Sequence, residues 1–142
     1  MSETDNLPEV EAALLAYQAR VDVQLGAAAR EISIALESFG KKEIVGQRPK
    51  GERAISGQPP MNRTGNLRRS IKGTSARKGF GQYQAIVGAD MVYARAVEIG
   101  DPYNPPSWKD GQRFPFLAPA LQKFVRTNLL RRIIIKHLGA AK

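Results

Sequence analysis

The feature that most constrains this chain is one long apolar stripe near its N-terminus. Its members recur at steps of three and four residues, a spacing that keeps them on one side of an α-helix. They are Val10, Leu14, Tyr17, Val21, Leu25, Ala28, Ile32, Ala35 and Phe39. A helix of about 30 residues is about 45 Å long, whereas a domain of 142 residues is only about 30 Å across. Either Gly26 bends this helix, or part of it projects to pack on another subunit.

Local signals predict both ends of this helix. Asn6 with Glu9 three residues later is typical of a helix N-cap and its reciprocal partner. Gly40 predicts the C-terminal end, because glycine tolerates the left-handed cap conformation. Lys41 and Lys42 follow it, and cations suit the negative end of the helix dipole. The sequence therefore predicts a helix over residues 1–40.

The next segment has no apolar periodicity. Residues 40–63 contain four Gly, three Pro and six Lys or Arg, which predicts a long basic loop over residues 41–63. Loops of this length are uncommon in compact domains and are often functional or disordered. Two interpretations stay open: a solvated flexible loop, or a segment that becomes ordered when it contacts a partner.

The rest of the chain predicts a small sheet between helices. A short helical turn opens at residues 64–67, and strands at 71–77 and 82–88 flank a Gly-rich turn. In the second strand, residues 83, 85 and 87 alternate with residues 82, 84 and 86, so we expect one of its faces to be buried. Asp90 is a candidate cap for a short helix that ends at Ile99, and one last helix is expected from Pro119 to about Leu138. We therefore expect a single α+β domain over residues 1–142, with the N-terminal and C-terminal helices packed on a small antiparallel β-sheet.

The residues that most enzymes need are scarce. The chain has no Cys and a single His, His137, near its C-terminus. After residue 63 the only acids are Asp90, Glu98, Asp101 and Asp110, and none lies in a motif for nucleophilic or metal chemistry. No apolar run approaches the ~20 residues that span a bilayer. We expect no catalytic, cofactor-binding or metal-binding residues, and no membrane partner.

Charge is distributed unevenly along the chain. The net charge is +9, but residues 1–40 carry −5, residues 41–80 carry +9 and residues 81–142 carry +5. An acidic helix followed by a basic segment suggests opposite surfaces that meet between subunits.

Nucleic acid is the alternative partner. Six bases between Arg63 and Lys78 surround Phe80 and Tyr83, a composition typical of a hairpin that contacts phosphates and stacks on bases. A basic DNA-binding accessory protein is therefore the second hypothesis, and a small toxin-like nuclease is a weaker third.

Four short segments, in this order, carry a family resemblance. They are Thr64-Gly65-Asn66-Leu67-Arg68-Arg69-Ser70-Ile71, Val87-Gly88, Tyr93-Ala94-Arg95-Ala96-Val97-Glu98-Ile99-Gly100 and Pro115-Phe116-Leu117-Ala118-Pro119-Ala120-Leu121. Together they resemble the head–tail joining, or tail-component, family of long-tailed bacteriophages and their prophages. The resemblance covers roughly residues 60–125.

The resemblance implies a structural virion protein of the phage neck, without enzymatic activity. Such a protein acts as a tail terminator or tail-completion factor, and forms a homo-oligomeric ring that is commonly hexameric. Its partners are the head connector or stopper and the tail-tube proteins, and genomic DNA passes through the lumen. The expected location is the virion neck or tail, with the host cytoplasm during assembly.

Candidate interface residues combine the basic segment with motif positions. They are Lys41, Lys42, Arg48, Lys50, Arg53, Arg63, Arg68, Arg69, Glu98 and Trp108. Glu98 is expected to pair with Arg68, Arg69 or Arg95, within one subunit or between two. Gly65 and Gly88 are expected where a side chain would obstruct a turn or a close approach. Phe116 is expected in the core, where it seats the last helix on the sheet.

Overall fold

The fold is α+β, as the sequence predicts. In the computed structural model the described residues are 6–44, 57, 60, 65–99 and 114–139. The elements in chain order are α1 (Leu7–Glu43), α2 (Asn66–Ser70), β1 (Ile71–Gly79), β2 (Gln82–Ala89), α3 (Ala94–Ile99), α4 (Leu117–Arg126) and α5 (Leu129–Gly139). The long helix α1 contacts the hairpin of β1 and β2 and also the two C-terminal helices α4 and α5.

Helix α1 extends further toward the C-terminus than the local signals predict. It continues through Gly26 without a break and passes Gly40 to end at Glu43. The prediction that Gly40 ends the helix is wrong. This glycine lies within α1 and is buried against Ile71, whose Cγ2 would be 3.1 Å from an added Cβ. Beyond it, Glu43 and Ile44 are buried, so tertiary contacts hold the last turn in place. Lys41 and Lys42 therefore belong to the helix and not to the loop.

The hairpin packs one face on α1. Antiparallel pairing runs from Ile71 opposite Ala89 to Gly79 opposite Gln82, with an irregularity between Arg77 and Gly79. The turn residue Gly81 has a φ of 67°, a conformation that favours glycine. In β2, residues 83, 85 and 87 are less exposed than residues 82, 84 and 86, which confirms the predicted alternation.

The main core lies at the end of the hairpin that is remote from its turn. Its buried residues are Ile44, Ile71, Ala94, Val97, Phe114 and Phe116. Phe116 is fully buried, which confirms its predicted place in the core. On the other side of α1, the ring of Phe39 meets that of Phe124 edge to face at 5.5 Å between centroids. Helix α1 is thus packed between the hairpin and the C-terminal helices.

The predicted single C-terminal helix is two helices in the structure. Thr127 ends α4 in an extended conformation, and its N–H and hydroxyl both donate to the Phe124 carbonyl. The chain then restarts as α5, where the Asn128 carbonyl accepts the Arg132 N–H. Because apolar periodicity continues across this break, the sequence pattern alone does not reveal it.

The prediction that Asp90 caps the short helix is also wrong. Helix α3 begins at Ala94, whose N–H donates to the Met91 carbonyl. Asp90 lies one turn too early, and its own N–H donates to the Ser70 carbonyl at 3.1 Å. Within the described ranges, no helix combines the length and apolar character needed to cross a membrane.

Candidate assembly surface

The structure describes half of the ten predicted interface residues. Arg48, Lys50, Arg53, Arg63 and Trp108 lie outside the described residues. The other five fall in three separate places: the last turn of α1, the short helix α2, and the end of α3.

Both lysines of the α1 terminus contact groups of their own helix. Lys41 forms an ion pair with Glu37 one turn earlier. The Lys42 ammonium lies 5.5 Å from the centroid of the Phe39 ring. These contacts hold the stems of both side chains along α1, but Lys42 stays exposed and its charge remains accessible to a partner.

Arg68 and Arg69 are exposed on α2. Arg69 donates to the Asn66 side-chain oxygen at 3.1 Å. Gly65, the residue before α2, has a φ of 77°. This value confirms the expectation that the position needs glycine. Gly88 is different: an added Cβ would have no atom within 4 Å, so the expected obstruction there is wrong.

Glu98 stabilises the start of α4. Its carboxylate accepts the backbone N–H groups of Phe116, Leu117 and Ala118 at 2.7, 3.0 and 2.9 Å. These are amides that the first turn of a helix leaves without intrahelical acceptors. Within the described part of one chain the partners of Glu98 are backbone amides and not an arginine, so this residue links α3 to α4; an arginine partner from another subunit stays a prediction.

Acidic residues of α1 meet basic partners within the same chain. Asp22 Oδ1 accepts the Gly81 N–H at 2.7 Å, and Oδ2 accepts the Tyr83 hydroxyl at 3.1 Å and pairs with Arg77 at 3.2 Å. Burial, and then the hydrogen bond to Asp22, raise the pKa of Tyr83. The acidic helix and the basic middle segment thus do meet, but here the contact is intramolecular.

Three glutamates continue this pattern along α1. Glu31 contacts Lys136 and His137 of α5, and hydrogen bonds first from His137 and then from Lys136 lower its pKa. Glu37 accepts the Gly73 N–H at 2.9 Å, and the hydrogen bonds from Lys41 and then from Gly73 lower its pKa. The buried Glu43 pairs with Lys123 at 2.6 Å. These carboxylates fasten α1 to the elements around it.

The first turns of α1 differ from the rest of the helix. Every residue from 6 to 20 is exposed, including Val10, Leu14 and Tyr17 of the apolar stripe. We call residues 7–20 the arm. The length of the stripe left two alternatives, a projecting segment or a bend at Gly26. The exposed arm agrees with a projecting segment, and α1 continues through Gly26 as one helix.

A second apolar surface lies on the C-terminal helices. Ala120, Phe124 and Ile133 are buried, whereas Leu121 and Val125 of α4 and Ile135 and Leu138 of α5 are exposed. Exposed arginines accompany them at positions 126, 131 and 132. We call these four exposed apolar residues and three exposed arginines the outer face of α4 and α5. The sequence did not predict it, because the spacing of apolar residues predicts a helix but does not show which of those residues a neighbouring element covers.

No metal-binding cluster of three or more His, Asp or Glu side chains occurs in residues 6–44, 65–99 and 114–139. The exposed apolar and charged surfaces of the arm and of the outer face are of the kind that suits binding to another macromolecule. No family model, no curated protein and no solved structure matches this chain.

Proposed function

We propose that this protein is a structural component of a phage neck, which forms a ring that terminates or completes the tail and joins it to the head connector. The ring is a homo-oligomer, commonly hexameric in proteins of the resembled type. Its other partners are the tail tube and the connector or stopper, and genomic DNA passes through its lumen. No catalytic step is part of this proposal.

One observation carries the proposal: the described parts of the four motif segments pack on one another. Ile71, Val97 and Phe116, from three of the segments, are buried in one core cluster, and Val87 of the remaining segment packs against it. Glu98 connects the third segment to the fourth through three backbone hydrogen bonds. Residues that pack together constrain one another, so their joint occurrence supports a shared fold better than four unrelated short matches would.

The test uses the purified full-length chain. Light scattering is expected to give an oligomer, and negatively stained micrographs are expected to contain rings. Incubation with phage tail tubes that lack their terminating protein is expected to leave one ring at the end of each tube. A strict monomer that binds neither tail tubes nor connectors would overturn the proposal.

A second candidate function, DNA binding, rests on the tip of the hairpin. Phe80 is 64% exposed, the Arg77 guanidinium lies 6.0 Å from its ring centroid, and Lys78 is also exposed. An exposed ring among cations suits stacking on bases next to phosphates. Tyr83, the other predicted stacking ring, is instead hydrogen-bonded to Asp22.

DNA binding predicts a steep salt dependence. Affinity for duplex or single-stranded DNA is expected to fall about 10³-fold or more between 50 and 200 mM salt if several phosphates are contacted. Phe80→Ala is expected to weaken single-strand binding, whereas Ile86→Ala, which removes an exposed side chain from β2, serves as the matched control. No retention of DNA at low salt would eliminate this candidate.

A further inference from the structure

The apolar stripe of α1 continues without interruption from a covered region to an uncovered one. In the second half of the helix, Ala28 is buried and Phe39 packs on Phe124, so α4 and α5 cover this part of the stripe. In the arm the same spacing of three and four residues continues through Tyr17, Leu14 and Val10, and these side chains are exposed. The arm therefore has the pattern of a helix that packs on other helices, but has no such cover within residues 6–44, 65–99 and 114–139.

The outer face of α4 and α5 fits the arm in charge. Residues 117–139 contain no Asp or Glu, and Arg126, Arg131 and Arg132 are exposed among the apolar side chains of that face. The arm carries Glu9 and Glu11, with its single base, Arg20, at its end. Two arms packed on each other would leave the basic face uncovered, whereas an arm on the outer face pairs the acids Glu9 and Glu11 with opposite charges.

The arm and outer face of one chain are not positioned to meet. Helix α1 is continuous from Leu7 to Glu43, and α4 and α5 pack on its second half. An unbroken helix does not fold back, so the arm, about 21 Å long at 1.5 Å per residue, extends away from its own C-terminal helices. A contact between an arm and an outer face therefore requires two copies of the chain.

We propose that the arm of one copy packs on the outer face of α4 and α5 of another copy. Each copy then donates one arm and accepts one, either reciprocally in a pair or around a closed ring. This contact specifies how the copies join in the proposed ring and in that sense rests on the proposed function. It does not depend on the phage partners of that ring.

The experiment uses two variants, each of which disables one half of the contact. Leu14→Asp adds a charge to the stripe of the arm, and Ile135→Asp adds one to the outer face; these side chains are 55% and 56% exposed, so neither substitution opens the core. The matched control is Ile34→Asp, at an exposed position of α1 on the side away from the stripe. Oligomer size is measured by light scattering over a range of concentrations, with circular dichroism as the check on folding.

Each single variant is expected to self-associate at least about tenfold more weakly than the wild-type chain, because a carboxylate would replace an apolar side chain that the contact removes from water. Ile34→Asp is expected to associate like the wild-type chain. An equimolar mixture of Leu14→Asp and Ile135→Asp is expected to form a one-to-one heterodimer, because the first retains an intact outer face and the second an intact arm.

Other results would overturn the arm contact. If Ile135→Asp still assembles while Leu14→Asp does not, the arms pair with each other. If both variants assemble like the wild-type chain, the ring closes through another surface, and the proposed function survives without this contact. A wild-type chain that is monomeric at all concentrations excludes self-association. Conversely, an oligomer that depends on the arm but fails to bind tail tubes or connectors would refute the neck function alone.

Discussion

The carbonyl oxygen of Ser33 lies 1.9 Å from the point at which any side chain at position 73 would place its Cβ atom. Gly73 thus allows strand β1 to approach the backbone of α1 more closely than any other residue would. The same approach allows the Gly73 N–H to donate to Glu37 at 2.9 Å. The hairpin is positioned on α1 through this contact.

Gly73→Ala is expected to destabilise the protein by about 3 kcal/mol, because the methyl group would overlap a backbone atom that cannot rotate away. Gly88→Ala on the paired strand is the matched control, since an added Cβ there has no atom within 4 Å. The control is expected to leave stability unchanged or raise it by up to about 0.5 kcal/mol. Urea unfolding followed by circular dichroism measures both. Equal stabilities of the two variants would contradict the close approach.

Asp22 is expected to matter more to stability than the arginine with which it pairs. Asp22→Ala removes the acceptor of the Gly81 N–H and the Tyr83 hydroxyl as well as the Arg77 ion pair, and should cost about 2–3 kcal/mol. Arg77→Ala should cost less than about 1 kcal/mol, because that side chain is half exposed and the Asp22 carboxylate keeps its other two donors. Chemical denaturation of the two variants gives the comparison, and the reverse order would refute this assignment.

Glu98 should behave as a helix cap rather than as an interface charge. Glu98→Ala leaves three amides at the start of α4 without their acceptor, with an expected loss of about 1–2 kcal/mol. Asp90→Ala is the control, because Asp90 is exposed and lies outside α3, and should change stability by less than about 0.5 kcal/mol. Thermal unfolding of the full-length chain distinguishes them. If Glu98→Ala weakened self-association without lowering stability, an interface role would replace the cap.

Elements with a strong local period could be predicted from the sequence, and elements defined by distant partners could not. The stripe that begins at Val10 and the alternation in β2 each depend on spacing alone, and both predictions are confirmed. Gly40 carries the same local signal as a helix end, yet it lies inside α1 because Ile71, 31 residues away in the chain, packs on it. Its role as a buried contact depends on tertiary structure that no local pattern contains.

The candidate site follows the same division. The length of α1 against the size of the domain suggested a projecting segment, and residues 6–20 are exposed. The partners of Asp22 are 55 to 61 positions away, at Arg77, Gly81 and Tyr83. Its role in holding the hairpin on α1 therefore could not be predicted from the local sequence. Charge totals averaged over segments also concealed the fact that much of the acidity of α1 is paired within the chain.

The fold should lose stability in acid through carboxylates on α1. Hydrogen bonds from His137 and Lys136 to Glu31, and from Lys41 and Gly73 to Glu37, lower both pKa values below 4.5. A carboxylate with a lowered pKa in the folded state stabilises the fold fully above its unfolded pKa, and this contribution disappears as the pH falls through the folded value. The free energy of unfolding is therefore expected to be constant in this respect above about pH 5.5 and to fall below about pH 4.5. Glu37→Gln should be less stable than the wild-type chain at pH 7 and should show a shallower decline in acid, because it lacks the carboxylate that accepts from Lys41 and Gly73. Urea titrations at a series of pH values measure these slopes, and a Glu37→Gln slope equal to that of the wild-type chain would show that this carboxylate does not contribute.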